Sequence, residues 1–177
     1  MVVRYLGKIA AVAALGLLAS ACAGSVKPGA ATDRGARVIH PGQPMQCVPY
    51  ARAESGISIF GDAYTWWDQA AGRFARTDRP RVGAVLVLAD YAGPKRAHLA
   101  VVRRIASSRA IVVDHANWLN DGAIYLNSPV VDASPRNDWS EVRVWHTPGN
   151  HLGGRTYKVR GFITPDPDAD SWRVASR

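Results

Sequence analysis

The chain has 177 residues, two cysteines and a formal charge of +8, from 22 Lys and Arg against 14 Asp and Glu. That length supports one domain with a real core, and the ordinary apolar share excludes a disordered or collagen-like chain. The positive charge favours polyanionic partners, but there is no run of like charges to make a basic tail, and an export signal argues against nucleic acid.

Residues 1–22 read as a signal peptide. Arg4 and Lys8 make a basic start. The small, apolar run over 9–21 is too short to cross a bilayer comfortably. Ala19, Ser20 and Ala21 suit cleavage before Cys22, and 18–22 resembles a bacterial lipobox with Ala19 where Leu is usual. Cys22 is therefore the lipidation candidate. The expected location is the periplasm or cell envelope, lipid-anchored to a membrane or freely secreted. Residues 23–42, rich in Gly, Ala and Pro, read as a flexible linker, 43–164 as the working domain and 165–177 as a disordered tail. Asp166, Asp168 and Asp170 in that tail lack the glycine and later glutamate of a calcium loop. No cofactor and no metal are expected, and the domain is read as a monomer.

The domain opens with helical signals. A helix is expected over 47–55, with Pro49 in the first turn, where a missing amide hydrogen costs little, and Gly56 as its stop. Asp62 is an N-cap for a second helix reaching 71 and closed by Gly72, with Tyr64, Trp67 and Ala71 along one side. Strands are expected over 82–89, 98–105 and 110–118, then over 123–126, 129–133, 141–146 and 155–163. Helices followed by a strand meander predict an α+β domain, with N-terminal helices packed on an antiparallel sheet of about five to six strands.

Cys47 is the one thiol left after processing, and it opens the first helix. The positive end of that helix favours thiolate and makes the sulfur a candidate nucleophile. His98, opening an apolar strand, is the candidate base. If Ser107 and Ser108 form a two-residue hairpin tip, His98 faces Asn117, Ala100 faces His115 and Val102 faces Val113. His98, His115 and Asn117 then share one face of the sheet, and Asp114 points to the other. A one-residue change in the loop reverses this and brings Asp114 round.

QCVPYAR (46–52), GDAYTWW (61–67), PRVGAVLVL (80–88), HLAVV (98–102) and VDHANW (113–118) together resemble the CHAP domain. CHAP domains are cysteine, histidine-dependent amidohydrolases and peptidases of papain-like fold that act on the bacterial cell wall. The resemblance covers roughly 43–164. It implies Cys47 as nucleophile, His98 as general base and a third polar residue on the next strand that orients the base. The usual Glu, two places before the family's Asn, is replaced here by His115, with Asn117 matching that Asn. Related wall peptidases use a His as third member, so His115 is preferred over Asp114, and Asn117 is an auxiliary. The Cys47 amide, with Gln46 or Gln43, would supply the oxyanion donors. The implied substrate is peptidoglycan, cut at the muramoyl–L-alanine amide or within the stem or bridge peptide. Trp118, Trp139 and Trp145 are groove or core aromatics.

Two other readings compete. One is a non-catalytic peptidoglycan-binding or scaffold protein on the same fold, kept open by the replaced Glu. The other is a metalloenzyme using His98, His115, His146 and His151, against which there is no short histidine spacing on a helix and no HExxH.

Overall fold

The computed structural model describes residues 35–165. The leader with Cys22, residues 23–34 and the tail from 166 on, with Asp166, Asp168 and Asp170, lie outside the described residues.

The expected α+β layering does not hold. The protein is mostly β, 44% strand and 12% helical, and six strands close into a barrel. In chain order the strands are β1 (Arg37–Ile39), β2 (Ala75–Thr77), β3 (Val85–Ala89), β4 (His98–Ser107), β5 (Ala110–Ala116), β6 (Ile124–Asp132), β7 (Glu141–His146) and β8 (His151–Thr164). Strands β3 to β6 form the expected antiparallel meander. β7 then pairs with both β6 and β8, and β8 pairs back with β3, which closes the ring. That closing pair, Val85 opposite Ile163 and Leu86 opposite Phe162, joins strands far apart in the chain, so local patterning does not announce it. The short strand β1, within the stretch read as linker, pairs with β6, and β2 pairs with β8.

Alternation along β3 and β4 separates two apolar clusters. Leu86, Leu88, Ala100, Val102, Ile111 and Val113 fill the barrel interior together with Phe162 and Trp139. Val85, Val87, Leu99 and Val101 face outward and are covered by Ala51, Ile57, Ile59 and Trp66. Burial on both faces is why the 80–88 segment reads as a continuous apolar run instead of an alternating one.

Helix α1 (Cys47–Ser55) has the expected bounds, and its cap Gly56 takes φ 74°, a left-handed conformation that glycine adopts without strain. The second helix is much shorter than expected. A 3-10 turn over Ala63–Thr65 runs into α2 (Trp66–Gln69), and Asp62 makes no side-chain cap bond. Thr65 donates instead to the Asp62 carbonyl, and Gln69 to Thr65 and the Phe60 carbonyl, so polar side chains tighten the segment into turns. Its buried side is Ala63, Trp66 and Ala70, while Tyr64 is exposed.

The hairpin differs from expectation at its tip and agrees further down. Ser107 pairs with Ala110, so the turn is Ser108–Arg109, but two bulges in β4 shift the register and bring Val102 opposite Val113.

Candidate active site

Cys47 is the first residue of α1 and half-buried; His98 is the first residue of β4 and buried. Both line one groove of about 690 Å³, walled by the start of α1, the 61–64 loop, the 91–97 turn, Asn117 and Asn120. The segment leading into Cys47 is pinned to the β5–β6 turn. Met45 N–H donates to the Gly122 carbonyl at 2.9 Å, and a Cβ on Gly122 (φ 71°) would lie 2.6 Å from Pro44. Only glycine permits this close approach.

His98 and His115 point to the same side, and the Nε2 of His98 lies 2.9 Å from the Nδ1 of His115. The Nε2 of His115 is 3.3 Å from Ser128 Oγ. Aromatic rings enclose the pair. Tyr91 and Trp118 lie 5.1 and 4.9 Å from the His98 ring, and Trp118 and Tyr125 lie 5.1 and 5.5 Å from that of His115. This burial disfavours a charged ring and pushes both imidazoles below their usual range, the neighbouring His98 lowering His115 further. Both histidines are neutral at pH 7.

The thiol is also neutral at pH 7, against the expectation of thiolate. Burial pushes Cys47 up, and hydrogen bonds from the backbone amides of Leu99, Val48 and Cys47 itself only partly offset it. A helix end contributes on the order of 1 kcal/mol, which desolvation of a sulfur anion exceeds. The amide of Leu99, next to His98, reaches the sulfur, so nucleophile and histidine strand meet at that point.

Asp114 faces away from the histidines. Its Oδ2 accepts from Arg103 Nε at 2.7 Å and its Oδ1 from the Asn127 amide at 2.7 Å. Arg103 also pairs with Glu54 and hydrogen-bonds Tyr50, both on α1, which clamps that helix to β4 and β5. Asn117, in a left-handed conformation (φ 59°), accepts the Gly122 amide on Oδ1 at 2.8 Å and donates from Nδ2 to Gln46 Oε1 at 2.7 Å. The backbone donor fixes which way Asn117 points. That in turn fixes Gln46 with its oxygen held and its amide hydrogens without a partner among the described residues. Gln46 lines the groove and Gln43 does not.

None of the three tryptophans lines this groove. Trp118 is buried against His98 and walls a second cavity of about 270 Å³, Trp139 packs on Phe162 in the barrel, and Trp145 is half-buried in β7. His146 and His151 stack on each other at 5.2 Å across the β7–β8 turn, and no group of three or more metal-ligating side chains occurs among the described residues. Tyr91, whose hydroxyl donates to the Trp118 carbonyl, and Ser128 were not legible as site residues. Nothing local distinguishes them from other strand and turn residues.

The model of the CHAP domain family matches residues 39–117, a span that runs from the end of β1 past β5 and includes Cys47, His98, His115 and Asn117. The family consists in general of hydrolases that act on peptidoglycan at the cell wall. No curated protein and no solved structure matches the chain. No helix among the described residues is long and apolar enough to cross a membrane.

Proposed function

We propose that this CHAP-domain chain is an exported cysteine hydrolase that cleaves an amide bond of peptidoglycan, with Cys47 as nucleophile, His98 as general base and His115 as the residue that orients it. The observation that supports it best is the shared groove of Cys47 and His98 with the hydrogen-bonded run His98–His115–Ser128 behind it.

The resting pair is thiol and neutral imidazole, so the proton moves as the sulfur attacks. For His98 to accept it at Nδ1, its Nε2 must carry the hydrogen and donate to His115 Nδ1; His115 then donates from Nε2 to Ser128 Oγ. The sulfur forms a bond to the amide carbon, and the carbonyl oxygen becomes an oxyanion. The Cys47 amide and the side-chain amide hydrogens of Gln46 are the donors that would meet it. The His98 imidazolium returns its proton to the leaving amine as the C–N bond breaks. Water, deprotonated by His98, then cleaves the thioester and restores the thiol.

The test is digestion of purified peptidoglycan by the wild type and by Cys47→Ala, with fragments identified by mass spectrometry. The variant should fold normally and release nothing. Mass identifies the new termini and so the bond. Equal digestion by a well-folded Cys47→Ala protein would exclude the mechanism. Binding without digestion by the wild type would instead support a wall-binding protein, a reading with which the protonated, half-buried thiol is also compatible.

A further inference from the structure

The floor of the Cys47 groove is uncharged at neutral pH, but its walls are not. Among the lining residues Lys95 and Arg96 are the two permanent cations and Asp62 is the one acid. Both cations are exposed, and neither forms an ion pair among the described residues. Asp62 is on a different element and makes no side-chain cap bond. The turn that carries the cations is held firmly. The Tyr91 amide donates to the Arg96 carbonyl at 2.7 Å, the Arg96 amide to the Gly93 carbonyl at 3.1 Å, and the Tyr91 hydroxyl to Trp118. Lys95 itself has φ 57°. Lys95 and Arg96 line the same groove as Cys47 and His98.

Two adjacent cations on a pinned turn, without an ion-pair partner among the described residues and three and two residues before the candidate base, suit a ligand anion. Peptidoglycan stem peptides carry free carboxylates close to their amide bonds. We infer that Lys95 and Arg96 form a carboxylate-binding subsite of the Cys47 groove, which makes the substrate an anionic peptide whose free carboxylate lies beside the scissile amide. This rests on the hydrolase reading for the word substrate, though binding can be measured without turnover. Arg96 supplies a planar fork that can hold a carboxylate bidentately, and Lys95 adds a point charge. Asp62 would take a positive group on the same ligand or repel a carboxylate placed the wrong way round.

The test uses two soluble probes, a disaccharide–peptide prepared from peptidoglycan and the same compound with its carboxylates converted to amides. Binding to full-length Cys47→Ala is measured by titration calorimetry, and hydrolysis by the wild type is followed separately. The acidic probe should bind about tenfold or more tighter than the amidated one, in a salt-dependent way. Adding Lys95→Ala and Arg96→Ala should abolish that difference, and Arg96→Lys should restore part of it. In turnover, the pair of alanine changes should raise KM more than they lower kcat. Equal binding of the two probes by Cys47→Ala overturns the subsite, as does failure of both to bind, or a preference that survives both alanine substitutions. If the acidic probe binds selectively but the wild type never hydrolyses it, the subsite stands and the hydrolase reading falls.

Discussion

The Nε2 of His98 and the Nδ1 of His115 are 2.9 Å apart inside a shell of aromatic rings, and neither imidazole is charged at pH 7. One ring must therefore donate and the other accept, and His115 selects the tautomer of His98. His115→Ala is expected to lower kcat on peptidoglycan by about 10²-fold, leaving KM within a few fold. His115→Gln keeps an acceptor and should lose less. Measured kcat close to wild type in a folded His115→Ala protein would remove the residue from the reaction.

The same burial makes stability depend on pH. The unfolded imidazoles titrate near the usual value of 6.5, and in the fold both are lowered. Above 6.5 neither state carries protons on them and they add no pH dependence. Below it the unfolded chain takes up protons that the fold refuses, so stability falls as the medium is acidified. The slope is at most about 1.4 kcal/mol per pH unit for each histidine. Urea unfolding at about pH 7.5 and about pH 5.5 should show the loss, and it should be smaller in a His98→Gln, His115→Gln protein. Identical slopes in the two proteins would mean that the pair is not buried neutral.

Alkylation of Cys47 follows from its raised pKa. Desolvation outweighs the amides of Leu99, Val48 and Cys47, so thiolate is scarce at neutral pH. The rate with iodoacetamide should be slow near pH 7 and still climbing above pH 9, the usual thiol value. A plateau reached below pH 8 would show a stabilised thiolate and a resting ion pair with His98.

Much of this site was legible in the residues because its parts are local. Cys47 before Pro49 and Gly56 gives a helix start, and His98 stands out as a polar residue at the head of an apolar strand. A hairpin tip at Ser107–Ser108 lies one residue before the observed turn at Ser108–Arg109, yet His98 and His115 fall on one face as that tip implies. The bulges between Val102 and Arg104 and between Ile105 and Ser107 absorb the difference, and nothing in the alternation of 98–116 marks them. The architecture was not legible. Whether β8 returns to β3 depends on side chains such as Phe162 and Ile163 finding partners some 75 residues back, at Leu86 and Val85, a long-range choice that alternation does not encode. The helix signal over 62–71 failed for the opposite reason. Trp66 and Ala70 bury well on one side, but Thr65 and Gln69 spend their hydrogen bonds on turns.

Asn117 is expected to act through Gln46. Asn117→Asp tolerates the left-handed backbone but cannot donate, so Gln46 should turn its nitrogen toward the new carboxylate and its oxygen toward the groove. The loss in kcat should match that of Gln46→Ala, about 10²-fold for one oxyanion donor. The double change should cost no more than either alone. Additive losses would separate the two residues and assign Asn117 a different role.

Asp114 and Arg103 bear on the site from the other side of the sheet. Arg103 reaches Asp114 at 2.7 Å on β5 and Glu54 and Tyr50 on α1, so it ties the helix that starts with Cys47 to the strands that carry both histidines. Asp114 is 12% exposed at its side chain and Arg103 31%, so the pair is partly screened and its loss is worth about 1–3 kcal/mol, less than a fully buried pair. Asp114→Asn should lower the unfolding free energy by that amount and shift no pKa in the pH–kcat profile. Were Asp114 the residue that orients His98, the same change would depress kcat by orders of magnitude at unchanged stability. Arg103→Met should destabilise similarly and, by loosening α1, raise KM. The chemical denaturation midpoint and the kcat profile together separate a clamp from a participant: a fall in kcat without a fall in stability would return Asp114 to the catalytic set.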